Sequence, residues 1–240
     1  MKKSGGVHAI GLLHVDDHLA LVDKPSGIVV HRGWGDDDGG LVVAVRERLG
    51  RRVWPVHRLD RSASGVMAFA LTAEVSAALG KAFAEGRVEK RYLALVRGHP
   101  PETAVIDHPV PGRPGGPRAQ AVTAIRRLGV WERYALVEAI PRTGRLHQIR
   151  RHLKHISCPL IGDVNYGKGE HNRLFRERFG LYRLALHALS LRLPHPVSGE
   201  ELTGYAAPTG TLAVCLESIG LMASVPGFVS SSASREARAP

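Results

Sequence analysis

The sequence predicts an α+β fold built on a mixed, largely antiparallel β-sheet flanked by helices. Three observations lead there. Apolar runs of strand length outnumber stretches of helical periodicity, and the two alternate irregularly instead of in a βαβ rhythm. Neither G-x-G-x-x-G nor G-x-x-x-x-G-K-[ST] occurs, which sets dinucleotide and P-loop architectures aside. One domain is expected over residues 8–224, followed by a tail, 225–240, with too little apolar content to pack.

Taken in order, residues 1–7 read as a loose end and the stretch ending at Val15 as a first strand. Leu19–Val22 and Gly65–Leu71 are apolar runs of strand length. Between them, Asp38 or Gly39 opens a helix on which Leu41, Val42, Val45 and Leu49 recur at helical spacing. Thr72 is an N-cap for a second helix, with Val75, Leu79 and Phe83 on one face and Gly86 ending it. Tyr92–Val96 reads as a buried strand, and Ala119–Arg127 and Tyr134–Ile140 as two more. The Pro/Gly/Arg stretch from Pro109 to Arg118 reads as an exposed loop. Thr143 is expected to cap a third helix with Leu146, Ile149 and Leu153 on its buried side, and further strands fall around Ala185–Leu193.

The charge narrows the partners. Lysine and arginine number 33 against 22 aspartates and glutamates, a net +11 that favours RNA, DNA or anionic lipid. Lipid is the weakest of these, because no apolar run approaches the roughly 20 residues of a spanning helix. The Met1-Lys2-Lys3 start faintly resembles a secretion signal, but His8, His14 and Asp16-Asp17 interrupt it, so a cytoplasmic location is expected. Cys158 and Cys215 are the only cysteines and form no C-x-x-C or zinc spacing. His147, His152 and His155 crowd one segment without an H-E-x-x-H arrangement, and are read as part of a basic, RNA-facing surface rather than as metal ligands.

Two polar clusters can carry chemistry. In Pro55–Gly65, Asp60 sits between Arg58 and Arg61 directly before a buried strand, where a paired cation would keep it ionised; an ordinary surface turn with local ion pairs fits the spacing equally well. In Arg142–His152, arginines gather at the expected start of a helix, a place that welcomes an anion. Arg145 in a first turn is unfavourable for the helix dipole, which suggests a partner for it, although a solvated basic face has the same pattern.

Together these stretches carry a resemblance. His57-Arg58-Leu59-Asp60-Arg61-Ser62-Ala63-Ser64-Gly65 resembles the H-R-L-D-x-x-T-S-G motif of the RluA-type pseudouridine synthases, with Ala63 in place of the usual threonine. Lys90–Gly98 resembles their K-x-Y-x-A-x-V-x-G motif, Arg142–Arg150 the third motif, and Pro159–Asp163 with Tyr166-Gly167 the element after it. The motifs stand in the family's order, and the likeness runs from about Leu12 to Pro208 without an S4-type RNA-binding domain ahead of it. Leu21–Gly27, Val30–Trp34 and Arg173–His187 look most like the subgroup that modifies uridine 65 of tRNA.

The resemblance implies a pseudouridine-synthase-like sheet and an isomerase that needs no cofactor and no metal. It implies catalytic roles for Asp60, Tyr92 and Arg145, with Arg145 as the buried arginine paired to Asp60. It places Arg58 in the space vacated by the flipped base, and His57, Lys90, Leu71, Ile149 and Arg150 about the substrate, Leu71 and Ile149 as apolar walls. Arg32, Lys90, Arg113, Arg118, Arg150, Arg151 and Lys154 are candidates for contact with RNA phosphates. Aromatics are only 5% of residues, which favours reading a folded stem by shape over extended stacking on single strands. The expected partner is tRNA, with no membrane and no small-molecule cofactor, and the expected state is a monomer. A ribosomal RNA substrate, a non-catalytic basic RNA-binding protein, and a hydrolase built on His57 and Asp60 remain as alternatives.

Overall fold

The computed structural model describes residues 10–30, 40–112 and 115–228. Asp38, Gly39, Arg32, Arg113, residues 1–7 and the tail beyond 228 lie outside them. In chain order the elements are β1 (Gly11–Val15), β2 (Leu19–Lys24), α1 (Leu41–Leu49), β3 (Trp54–Pro55), β4 (Ser64–Ala70), α2 (Ala73–Ala84), β5 (Glu89–Arg97) and β6 (Thr103–Asp107). There follow β7 (Val110–Pro111), β8 (Arg118–Ala119), β9 (Val122–Trp131), β10 (Tyr134–Pro141), α3 (Gln148–His155), α4 (Gly169–Phe179), β11 (Leu186–Pro194), β12 (Glu201–Tyr205) and α5 (Gly210–Ser218).

One sheet runs β1-β2-β4-β11-β5-β10-β9-β6, with β3 added to β4 and β12 to β11. Its pairings are antiparallel except for β4 against β11, so the mixed, largely antiparallel sheet of the α+β expectation is what forms. Period-two alternation buries both faces. Along β5, Tyr92, Ala94 and Val96 enter one core and Leu93 and Leu95 another. Along β4, Met67 and Phe69 face the first core, while Val66, Ala68 and Ala70 pack with α2.

Local chemistry explains where the sequence was legible. Thr72 accepts a hydrogen bond from the Val75 N–H, as an N-cap does, and Gly86, at φ 72°, follows the helix end. Helix α4 has only Phe175 as a fully buried apolar residue amid charges, and β6 and β12 are short edge strands, so none of them has a strong periodic signal. The Pro109–Arg118 loop contains the small β7–β8 hairpin. Packing also passes the expected boundary at 224. Val225 is buried, Phe228 packs on the second core, and the Tyr205 hydroxyl donates to the Pro226 carbonyl.

The β4–β11 junction carries the loop that precedes it. Gly65 has φ 107° and lies opposite Ala188, where an added Cβ would sit 2.1 Å from the Ala188 carbonyl oxygen. Only glycine fits, on grounds of conformation and space together. Beside it, His187 accepts from the Ser64 hydroxyl at Nδ1 (2.7 Å) and donates from Nε2 to the Ala206 carbonyl (2.7 Å), while Arg183 donates to Ser64 Oγ (2.8 Å). Burial, helped by the Arg183 charge and opposed by the Ala206 bond, lowers the His187 pKa to about 4.

Gly65→Ala should lose about 3 kcal/mol of stability, seen as a thermal midpoint roughly 6–12 °C lower; an unchanged midpoint would refute the close approach. His187 titrates lower folded than unfolded, so its contribution is present above pH 6.5 and is lost as pH falls toward 4. Urea unfolding should show His187→Gln losing stability less steeply than wild type across that window, by up to about 1.4 kcal/mol per pH unit.

Candidate active site

A cleft of about 570 Å³ opens on the first core's face of the sheet, between the β3–β4 loop and the segment joining β10 to α3. Asp60 lies in it, on the loop that β4 carries. Its Oδ2 accepts a hydrogen bond from Arg150 Nη1 at 2.9 Å, and its side chain keeps 22% of its surface exposed. Arg150 itself is 8% exposed and is gripped from behind. Its Nε and Nη2 bind the two oxygens of Asp163 at 2.7 and 2.8 Å, a bidentate fork. Asp163 is fully buried and also accepts the N–H groups of Asn165 and Tyr166. Burial pushes the Asp163 carboxyl up, but Arg150 and those two N–H groups outweigh it and hold the group below its ordinary value. The guanidinium is thereby aimed, and its remaining donor edge points at Asp60.

This corrects the expected pairing. Arg145 does not reach Asp60; it is exposed at the cleft rim and donates from Nε to the Gln120 carbonyl at 3.2 Å. The cause is a shifted helix start. Thr143 does not cap a helix. Its hydroxyl donates to Gln148 Oε1 (2.6 Å), an oxygen that also takes the Arg145 N–H, while Gln148 Nε2 donates to Val122 O and Thr123 Oγ1. The saturated Gln148 amide ties residues 143–148 to β9 as an irregular turn, so α3 begins at Gln148 after His147 in the left-handed region (φ 53°). Arg150 then occupies the helix's first buried turn.

The other expected site residues separate into two groups. Arg58, Lys90, Tyr92 and Ile149 line the same cleft as Asp60 and Arg150. Burial and the Asp60 charge raise the Tyr92 phenol far above its ordinary pKa, so it stays protonated. Lys90 donates to the Thr143 carbonyl (3.4 Å) and burial lowers its pKa. His57 also lines the cleft, but its ring is engaged: Nε2 accepts the Ala68 N–H (3.0 Å), the ring stacks on Phe83, and burial with the Lys90 charge lowers its pKa to about 3. It is a neutral acceptor that fixes the loop. Leu71 is absent from the cleft lining and belongs to the core, beyond the far end of β4.

His152 is not on a basic surface. It is buried, bonded to Thr123 Oγ1 and to the His108 carbonyl, and does not converge with His147. His147 has Nε2 3.8 Å from Asp60 Oδ1 and Nδ1 3.1 Å from the Tyr166 hydroxyl, and burial lowers its pKa against the pull of Asp60.

Lys24 was overlooked as a site residue, yet it supports Asp60's loop. Fully buried, it donates to the carbonyls of Pro25 (3.0 Å), Arg61 (3.2 Å) and Ala63 (2.7 Å). Burial and the Arg183 charge lower its pKa to about 7 against Asp60 and Asp23. Period two would have found it, since it shares a strand face with Ala20 and Val22.

A carboxylate with one oxygen pinned and the other facing a cleft, beside a protonated tyrosine and under a cationic rim, suits work on a sugar–base unit of a polyanion. Residues 18–155 match the family described as RNA pseudouridylate synthase. The chain belongs to that family. It is 39% identical over 214 residues to tRNA pseudouridine synthase C of Vibrio parahaemolyticus, covering 80% of this chain and 87% of that one. It is 40% identical to the Salmonella typhimurium protein of the same name, covering 80% and 82%. Among solved structures, human RNA pseudouridylate synthase domain containing 4 superposes with a TM-score of 0.73 at 27% identity, covering 88% of this chain and 93% of that one. As a pseudouridylate synthase the protein is an isomerase.

Arg150→Ala leaves Asp163 as an unpaired buried charge and should cost about 3–5 kcal/mol together with activity. Arg145→Ala, at an exposed site, should stay within about 0.5 kcal/mol of wild type. Chemical unfolding of both variants decides between the two arginines, and the reverse ranking would refute this geometry.

Proposed function

We propose that the protein converts uridine to pseudouridine in tRNA, at uridine 65, acting as a cytoplasmic monomer. The observation that carries the chemistry is Asp60 held by Arg150 at 2.9 Å within a cleft that Tyr92 also lines. The tRNA substrate is supported by the names of the bacterial relatives, and uridine 65 by the likeness of Leu21–Gly27 and Arg173–His187 to that subgroup.

The reaction breaks the C1′–N1 bond, turns the uracil, and joins C5 to C1′. C5 loses a proton and N1 gains one, so atoms balance without a co-reactant. The free Oδ1 of Asp60 serves either attack at C1′ or removal of the C2′ proton. Arg150 gives the carboxylate a cationic partner once RNA has excluded water. Because the base must leave its stack before C1′ is reachable, Arg58 at the rim is placed to fill the gap and stack on the neighbouring bases. Tyr92, kept protonated, suits stacking on the uracil and donating a hydrogen bond rather than acting as a phenolate base.

Incubating the pure protein with an unmodified tRNA transcript and no additives, then mapping pseudouridine chemically, should show conversion at uridine 65. Modification of a large-subunit ribosomal RNA fragment instead would overturn the substrate, and binding without any conversion would overturn the enzyme. Asp60→Asn should lower turnover at least about 10³-fold while tRNA binding persists.

A further inference from the structure

Beside the catalytic cleft lies a second groove of about 360 Å³ that the reaction does not use. His108, Pro111 and Arg118 form one wall, and Arg151, Lys154 and His155 the other, with Tyr166 at its end. It adjoins the cleft at two points. Pro111 precedes Gly112, which lines the cleft, and Tyr166 bonds both to cleft-lining His147 and to Arg151.

Three features mark it as built for an anion. Arg118, Arg151 and Lys154 converge there, no carboxylate lines it, and none of the three makes an ion pair among the described residues. Two cations are also held in place by neutral partners: Arg151 by the Pro111 carbonyl (2.9 Å) and the Tyr166 hydroxyl (2.9 Å), Arg118 by the Pro109 carbonyl (2.7 Å). Finally, the rings of His108 and His155 stack face to face, 3.8 Å between centroids and 13° from parallel, across the junction of the hairpin and α3.

We propose that this groove seats a backbone phosphate of the RNA, close to the flipped uridine; the inference rests on the RNA substrate proposed above. A phosphate offers oxygens to several donors at once, and Arg and Lys on facing walls match that geometry. The histidines give the site a proton linkage. Arg118 has only donors, so His108 Nε2, 3.1 Å from its Nη1, must be an unprotonated acceptor in the free protein. Burial, His155 and Arg118 all lower the His108 pKa. The charged or titratable groups around His108 are Arg118 on β8, Asp107 at the end of β6, and Arg151, His152, Lys154 and His155 on α3. A phosphate that drew Arg118 away from His108 and added negative charge would favour protonation of His108. Binding then takes up protons, and affinity rises as pH falls from about 7.5 to 5.5.

The test is fluorescence anisotropy with a labelled unmodified tRNA transcript, over salt and pH, on the full chain. Lys154 is exposed at the end of α3, and His152 binds the His108 backbone carbonyl and not its ring, so Lys154→Gln and His108→Gln should fold, as a circular dichroism melt will verify. Lys154→Gln should reduce the slope of log affinity against log salt by about 0.9, whereas Arg178→Gln, beside Trp131 on the second core, should leave it unchanged. His108→Gln should match wild type at pH 7.5 and lose most of the tightening at pH 5.5. An unaltered slope in Lys154→Gln, or a wild-type pH response in His108→Gln, overturns the subsite even if tRNA is bound and modified. Failure to bind tRNA at all overturns the substrate reading, and the subsite with it.

Discussion

A guanidinium has three edges on which to donate, and Arg150 gives one to Asp163 in a bidentate fork and another to Asp60. The two carboxylates are not equivalent. Asp163 is fully buried and saturated by Arg150 and two backbone N–H groups, so its position is dictated by the chain around it. Asp60 is partly exposed and has an oxygen to spare. The buried carboxylate therefore sets the direction of the arginine, and the arginine sets the direction of the Asp60 carboxylate. Removing Asp163 would leave Arg150 charged but unaimed, a different injury from removing Arg150.

Such an ion chain works only if the Asp60 loop is held as firmly as α3. Leu59 and Ala63 seat that loop in the first core, and its backbone carbonyls are gripped as well. Lys24 collects three carbonyls, two of them within the loop. Ser64, where the loop enters β4, is fixed by His187 and Arg183 from the chain entering β11. Gly65 then allows β4 and β11 to approach more closely than any side chain would permit. The parallel pairing within an otherwise antiparallel sheet thus adjoins the Asp60 loop, where residues distant in sequence can support it.

The sheet was legible because several of its strands are apolar runs of strand length, as in β4 and β10. Asp60 and Tyr92 were legible because each stands at a fixed place in a motif beside such a strand. The ion-pair partner was not. Thr143 followed by an apolar repeat reads as a capped helix, and that reading makes Arg145 a first-turn residue. What delays α3 is the Gln148 amide bridging to Val122 and Thr123, more than 20 residues away in sequence, which no local periodicity can report. The buried His152 failed differently. Its crowding with His147 and His155 suggests a basic surface, but Thr123 and the His108 carbonyl satisfy it inside, as carbonyls from another segment satisfy Lys24.

The distribution of charge separates catalysis from RNA affinity. Among the cations that line the cleft, Arg150 alone forms ion pairs with carboxylates in the described residues; Arg58, Lys90, Arg142 and Arg145 do not. Elsewhere several cations are compensated: Arg91 and Arg126 share Glu138, and Arg192 bridges Glu89 and Glu201. The cleft rim thus presents uncompensated charge to a phosphate backbone. Salt should weaken those exposed contacts far more than the buried Arg150–Asp163 pair, since screening acts through solvent. RNA can then be released readily while Asp163 keeps Arg150 aimed at Asp60.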